Sequence, residues 1–251
     1  MNNAIQKMFE PLAGRYELVN HVVTFGLDTV WRKKAAGIAA KGGGADRERV
    51  GGGRKPGRGG ARRVVWLDVS TGTGEMAELL SRRADSGTTV LAADFSLPML
   101  RPAGRKTGVR AGRVLLVAAD DRQLPLRDAS LDLITISLGT RNLNTSRDAL
   151  VSCFGEFRRA LRPGGRLVNL ETSQPSSRVM RAMFHGYVRW FVKPAASALS
   201  GHSGAYSYLA SSMCSFYEAE ELAAMMREAG FARVEVTRLF PGAAAIHLAE
   251  K

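Results

Sequence analysis

Beyond residue 64, short unbroken apolar runs alternate with stretches whose apolar residues recur every three or four positions. The first pattern predicts buried strands and the second amphipathic helices. VVWLDV (64–69), TTVLAAD (88–94), VLLVAA (114–119), LDLITISL (131–138) and RLVNLET (166–172) read as strands. Between them, 75–84 and 148–161 follow the helical period, and LRPGG (161–165) reads as a turn. Later, 218–228 is helical, Gly230 stops it, and ARVEVTRL (232–239) and AAIHLA (244–249) are strands parted by a turn containing PGA. Alternating strands and helices imply right-handed crossovers. The expected fold class is α/β: a doubly wound, mostly parallel seven-stranded sheet, Rossmann-like, closed by an antiparallel C-terminal hairpin.

Upstream, residues 4–40 keep a helical spacing at Ile5, Met8 and Phe9, then at Leu18, Val19, Val22 and Val23. Asp28 is placed to cap a further helix holding Trp31 and Ala35. Three segments follow from this reading: an N-terminal helical cap (1–40), a basic linker (41–63), and a main domain (64–251) with a lid over 176–215. The linker carries nine glycines between Gly42 and Gly60, and eight basic residues between Lys41 and Arg63 against Asp46 and Glu48. Such a segment cannot bury enough apolar surface to offset its ordering entropy, so it is expected to be a mobile, solvated loop rather than a binding arm.

Much of the net charge of +13 sits in that linker, which leaves the remainder moderately basic. Basic surfaces suit nucleic acid or an anionic membrane face, and composition does not choose between them. Cys153 and Cys214 are the two cysteines, without a Cys-x-x-Cys pair, so neither a disulfide framework nor a structural metal site is expected. MNNAIQKMFE lacks the plan of a signal peptide, and no run approaches the ~18 apolar residues of a spanning helix. A cytoplasmic protein, peripheral to a membrane at most, is the expectation.

Strand 64–69 runs into DVSTGTGE (68–75), and a helix follows. Gly72 and Gly74 remove Cβ atoms, so backbone can approach a ligand and adopt positive φ. Asp94 ends the second strand, where a carboxylate can accept from both hydroxyls of a ribose. Together these place a nucleoside-type cofactor beyond the strand ends. Gly72-x-Gly74-x-x-Ala77 also fits the loose dinucleotide pattern. Asp68, however, would repel a pyrophosphate while suiting an amino-acid ammonium.

These residues resemble the ubiquinone/menaquinone biosynthesis C-methyltransferase family, within the class I S-adenosylmethionine fold. MFEPLAGRYELVNHVVTFGLDTVWRKKA (8–35) looks like its N-terminal signature, DVSTGTGE like its cofactor loop, and ADFSLPML (93–100) like its ribose turn. ISLGTRNL (136–143), LRPGGRLVNLETSQP (161–175), AYSYLASSMCSF (205–216) and GAAAIHLAEK (242–251) are similar to further family motifs. The resemblance implies S-adenosyl-L-methionine held by Asp68, Gly72, Thr73, Gly74, Asp94, Met99 and Ser137, with Asp120 and Asp121 at the adenine edge. It implies Arg141 and Asn142 facing a quinol ring as the catalytic pair, and Tyr16 and Tyr206 on the substrate side. The implied partner is a prenylated quinol, with transient membrane-surface contact; no nucleic acid is expected, and a homodimer is compatible.

The chain departs from the family pattern at Ser70 and Asp121, where alanine is usual, and at Thr140, where leucine is. Asn169, Thr172 and His202 depart as well, and they bear on substrate identity. The implied reaction places a methyl group on a ring carbon beside a hydroxyl, so a donor must stabilise the developing oxyanion. Arg141 suits that electrostatic role better than a base, since its pKa exceeds about 12. His185, His202 and His247 read as surface or core histidines. Glu171 is the better carboxylate, or else the partner of an arginine. VMRAMFHGYVRWFVKPAASAL (179–199) reads either as a lid touching a bilayer or as a core-packing helix pair. Rival readings are methylation of another hydrophobic phenol, and a nucleotide- or RNA-binding module without methyl chemistry.

Overall fold

The computed structural model describes residues 16–41, 63–200, 203–240 and 242–251. The helix expected before residue 16, the basic segment 42–62 and His202 therefore lie outside the described residues. Seven strands form one sheet: β1 (Val64–Val69), β2 (Thr88–Asp94), β3 (Val114–Ala118), β4 (Leu131–Ser137), β5 (Leu161–Thr172), β6 (Arg233–Leu239) and β7 (Ala244–Glu250). Their order is β3-β2-β1-β4-β5-β7-β6. The first five run parallel, and β7 is antiparallel to both neighbours. The expected hairpin is present, but its second strand, β7, takes the inner place beside β5.

Alternation along each strand divides the core between two faces. Leu67, Ile134, Ile136 and Leu167 meet α7 (Arg147–Ala160) and α11 (Ala219–Glu228) through Phe154, Phe157, Leu222 and Met226. Trp66, Val90, Leu133 and Val168 meet α2 (Leu27–Ala40) and α3 (Glu75–Ser81) through Trp31, Ala35, Met76 and Leu80. Helix α7 forms where Leu150, Phe154 and Phe157 recur at helical spacing, and Ser146 caps it by accepting from Ala149 N at 3.1 Å.

Two sequence expectations change. The Pro163–Gly164–Gly165 turn is absorbed into β5 as an irregularity: Leu161 pairs with Leu131, the register then shifts, and Arg166 pairs with Leu133. Gly164 takes φ +69 there, and Gly165 lies where a Cβ would meet Arg162 O at 2.9 Å. The N-terminal helices also part company. Helix α2 buries Trp31, Ala35, Ala36 and Ala39 and covers the sheet as a core helix. Helix α1 (Tyr16–Val23) instead joins a separate cluster with α8 (Arg178–Tyr187), a π-helical turn (Val188–Val192), α9 (Lys193–Ser200) and α10 (Ser203–Ser215).

Candidate active site

The chain leaves β1 for one half of the sheet and β4 for the other, so a crevice opens beyond the carboxyl ends of these adjacent strands. It measures about 740 Å³ with its open mouth. Each strand is followed directly by a non-glycine residue at positive φ, Ser70 at +48° and Leu138 at +58°. Strained backbone of this kind concentrates at functional sites. Gly139 lies so close to Ser70 that a Cβ on it would stand 2.6 Å from the Ser70 Cβ.

Of the sequence candidates, Asp68, Gly72, Thr73, Asp94, Met99, Ser137 and Asn142 line this crevice. Asp94, at the end of β2, accepts from Gly72 N at 2.8 Å with one oxygen and from Ser96 N at 2.9 Å with the other. Burial pushes its carboxyl up, and these two N–H groups oppose the rise. Asp68 is fully buried and accepts from Thr135 Oγ1 at 2.6 Å and Thr71 Oγ1 at 2.5 Å. Burial pushes it up to about 6, against those hydroxyls and the Arg32 cation.

Other candidates stand off the crevice wall. Gly74 caps α3 at φ +84, and its missing Cβ makes room for Ala103 on helix α4 (Leu97–Ala103), 2.9 Å away, rather than for a ligand. Asp120 turns to the surface in a two-pronged pair with Arg122. Asp121 lies behind the wall and accepts from Ser70 Oγ, so two departures from the family pattern hold each other. A second such pair is Thr140, which donates to Asn169. Tyr206 is buried in the α1–α10 cluster, and Tyr16 opens α1.

Burial, and then the neighbouring Asp94 charge, push Asp121 up to about 8, against the Ser70 hydroxyl. Between about pH 4 and pH 8 the folded chain therefore keeps a proton that the unfolded chain has released, and stability falls as pH rises through that window. Asp121→Asn mimics the protonated state. By calorimetry it should match the parent near pH 4 and melt about 10–20 °C above it near pH 8. Parallel melting profiles would contradict the assignment.

Arg141 and Asn142 sit on a short helix, α6 (Thr140–Leu143), and face different spaces. Asn142 lines the crevice, whereas Arg141 lines a cavity of about 480 Å³ with Tyr208 and Ser212 of α10 and Phe216 just after it. The buried Arg141 guanidinium donates to Glu171 Oε1 at 3.2 Å and to Thr172 Oγ1 at 2.7 Å. Glu171 also accepts from Arg141 N at 3.0 Å, so of its two expected roles it takes that of arginine partner. The histidines are structural as expected where described. Buried His247 bridges Ala219 O and the Asn169 amide, and His185 pairs with Gln174. Burial holds His247 below its usual range.

Sequence reasoning missed Arg32, Glu75 and Ser96 on the crevice wall. Arg32 had no local signal, since its position depends on α2 lying across the sheet. Its Nη1 donates to Asp28 at 2.5 Å and Glu75 at 2.9 Å, so the acids gathered there with His21 are bridged by a cation. Whether an adenosyl sulfonium fits can be judged from atoms left without partners. Among the described residues, Ser96 Oγ, Ser137 Oγ and Asn142 Oδ1 are buried on the crevice wall and make no hydrogen bond. Buried polar atoms of this kind are costly unless a ligand completes them. Together with Asp94 for a ribose and Asp68 for an ammonium, they fit that group.

A family model described as the ubiE/COQ5 methyltransferase family matches residues 1–251. The chain is 37% identical over 244 residues to the demethylmenaquinone methyltransferase of Thermus thermophilus, covering 97% of this chain and 100% of that one. It is 32% identical over 250 residues to the ubiquinone/menaquinone biosynthesis C-methyltransferase of Pseudomonas putida, covering 97% and 87%. Among solved structures, a SAM-dependent methyltransferase from Thermotoga maritima superposes with a TM-score of 0.57 at 17% identity, covering 98% of this chain and 99% of that one. Another, from Aquifex aeolicus, gives a TM-score of 0.51 at 19% identity over 76% of this chain and 84% of that one. Identities this low bear on the fold alone.

Proposed function

Since the chain belongs to the ubiE/COQ5 methyltransferase family, we propose that it methylates a ring carbon of a prenylated quinol, with demethylmenaquinol ahead of a ubiquinol precursor. It is an S-adenosylmethionine-dependent methyltransferase. The observation that carries the acceptor reading is that Arg141 and Asn142 are consecutive on α6, with Asn142 on the cofactor crevice and Arg141 on the cavity lined by Tyr208, Ser212 and Phe216.

When bound, S-adenosylmethionine supplies an electrophilic methyl group on sulfur. The chain's own residues must present the acceptor carbon in line with it and hold charge on the neighbouring ring oxygen. Asn142 Oδ1, buried and without a partner among the described residues, is available to accept from the ring hydroxyl. Arg141 Nε is likewise buried without an acceptor, and it serves as a fixed donor to the oxyanion. Glu171 and Thr172 hold the opposite side of that guanidinium and fix its plane. The hydroxyl proton leaves through water or a carboxylate.

Access from a bilayer surface is part of the same proposal. No helix among the described residues is long and apolar enough to cross a membrane. Helix α8 and the turn after it bury Phe184, Val188 and Val192 against the lid cluster. They expose Val179, Met183 and Trp190, the last at 80%, with Arg178, Arg189 and Lys193 beside them in the chain. Core packing and surface contact thus use opposite faces, as an interfacial helix requires.

The test is incubation with labelled methyl donor and reduced demethylmenaquinone or a benzoquinol precursor in anionic vesicles. Label on the ring carbon of the naphthoquinol is expected. Label on neither quinol, from protein that binds S-adenosylhomocysteine, would rule out the acceptor class.

A further inference from the structure

Arg32 lines the crevice from α2, a helix that the cofactor loop does not belong to. We infer that Arg32 is the receptor for the carboxylate of the cofactor's amino-acid end, while Asp68 beside it receives the ammonium. Buried arginines seldom line a cavity without a purpose, because their desolvation must be compensated. Here the compensation is one-sided. A single nitrogen, Nη1, donates to both Asp28 and Glu75. No described residue accepts from Nε or Nη2 of Arg32, so donors of the planar fork remain for a planar acceptor, the geometry a carboxylate matches.

The surroundings select a zwitterion. Asp68, Glu75 and Asp94 line the same crevice, and Arg32 is the basic side chain among its lining residues. A free anion would meet three carboxylates there. An ammonium and a carboxylate on one carbon satisfy Asp68 and Arg32 together and add no net charge. The aim of the guanidinium is set by its two acceptors and by what holds them in turn. Asp28 is fully buried and is itself held by His21 Nδ1 at 2.9 Å and Thr24 Oγ1 at 3.0 Å. Glu75 is steadied by Lys106, which also binds Glu17 of α1 at 2.8 Å. Arg32 therefore acts as a binding residue, and Asp28 and Glu75 as positioning residues that keep its open side toward the ligand.

The test separates carboxylate recognition from a structural role by changing the ligand as well as the protein. Calorimetric titration would use S-adenosylhomocysteine, its decarboxylated analogue S-adenosyl-3-thiopropylamine, and 5′-methylthioadenosine, which lacks the amino-acid end. In the parent chain, loss of the carboxylate should weaken binding about 10- to 100-fold, the range for a charge-assisted pair. In Arg32→Gln, that difference should shrink to about threefold or less, while methylthioadenosine affinity stays within about twofold. Arg32→Lys, which keeps the cation without the fork, should fall between.

Equal affinity of the parent for the first two ligands would overturn the inference. So would full discrimination surviving in Arg32→Gln, or an equal loss for methylthioadenosine. The parent-chain comparison stands even where a variant fails to fold. Failure of all three ligands to bind the parent would instead count against the cofactor crevice as a whole.

Discussion

Asp94→Ala is expected to weaken S-adenosylhomocysteine binding about 10²- to 10⁴-fold, the value of two charge-assisted hydrogen bonds. Each Asp94 oxygen already accepts one backbone N–H, from Gly72 or Ser96, each has a second lone pair, and the carboxylate lines the crevice. Those two sites match the two hydroxyls of a ribose. Removing the carboxylate loses both and also orphans the two buried N–H groups that shape the loop. Asp94→Asn should be intermediate, because its amide can accept on one side only and sets a donor against a donor on the other. Calorimetry reads both variants. A dissociation constant within about threefold of the parent for Asp94→Ala would remove the ribose from this carboxylate.

Arg141→Ala should lower turnover about 10²- to 10³-fold, the usual loss when one donor to a developing oxyanion is removed. The guanidinium is turned from the crevice toward Glu171 and Thr172, so S-adenosylhomocysteine affinity should stay within about threefold. The same substitution leaves Glu171, fully buried, without its cation, and a loss of about 3–5 kcal/mol in stability is expected. Chemistry and stability can be parted with a second variant. Arg141→Met combined with Glu171→Leu removes both charges and should regain most of the stability while turnover stays low. Recovery of activity along with stability would make Arg141 a structural residue. Cofactor affinity lost as fully as in Asp94→Ala would equally defeat the division of labour.

The candidate site was legible in the sequence to the extent that it is local. Gly72, Thr73 and Asp94 lie at strand ends, and the chain path from β1 through its loop to α3 forces them onto one rim. Asp120 and Asp121 are adjacent in sequence, yet they part in space. Asp120 meets Arg122 at the surface, while Asp121 turns inward to Ser70, a partner 51 positions away. Arg141 and Asn142 part similarly, because successive residues of one helical turn point in different directions. Thr140 and Asn169 are each unremarkable alone. Their hydrogen bond exists only because α6 packs on β5.

By itself the sequence determined seven strands, the order of strands and helices, and the glycine turn between β1 and α3. Each is set by apolar periodicity or backbone sterics over a few neighbouring residues, terms the linear chain contains in full. Only the tertiary structure decided that β7 enters beside β5, that Pro163–Gly165 becomes a bulge, that α2 covers the sheet, and that Arg32 reaches the crevice. Those outcomes depend on contacts between distant segments, where burial, charge pairing and register are settled together and no single segment carries the answer.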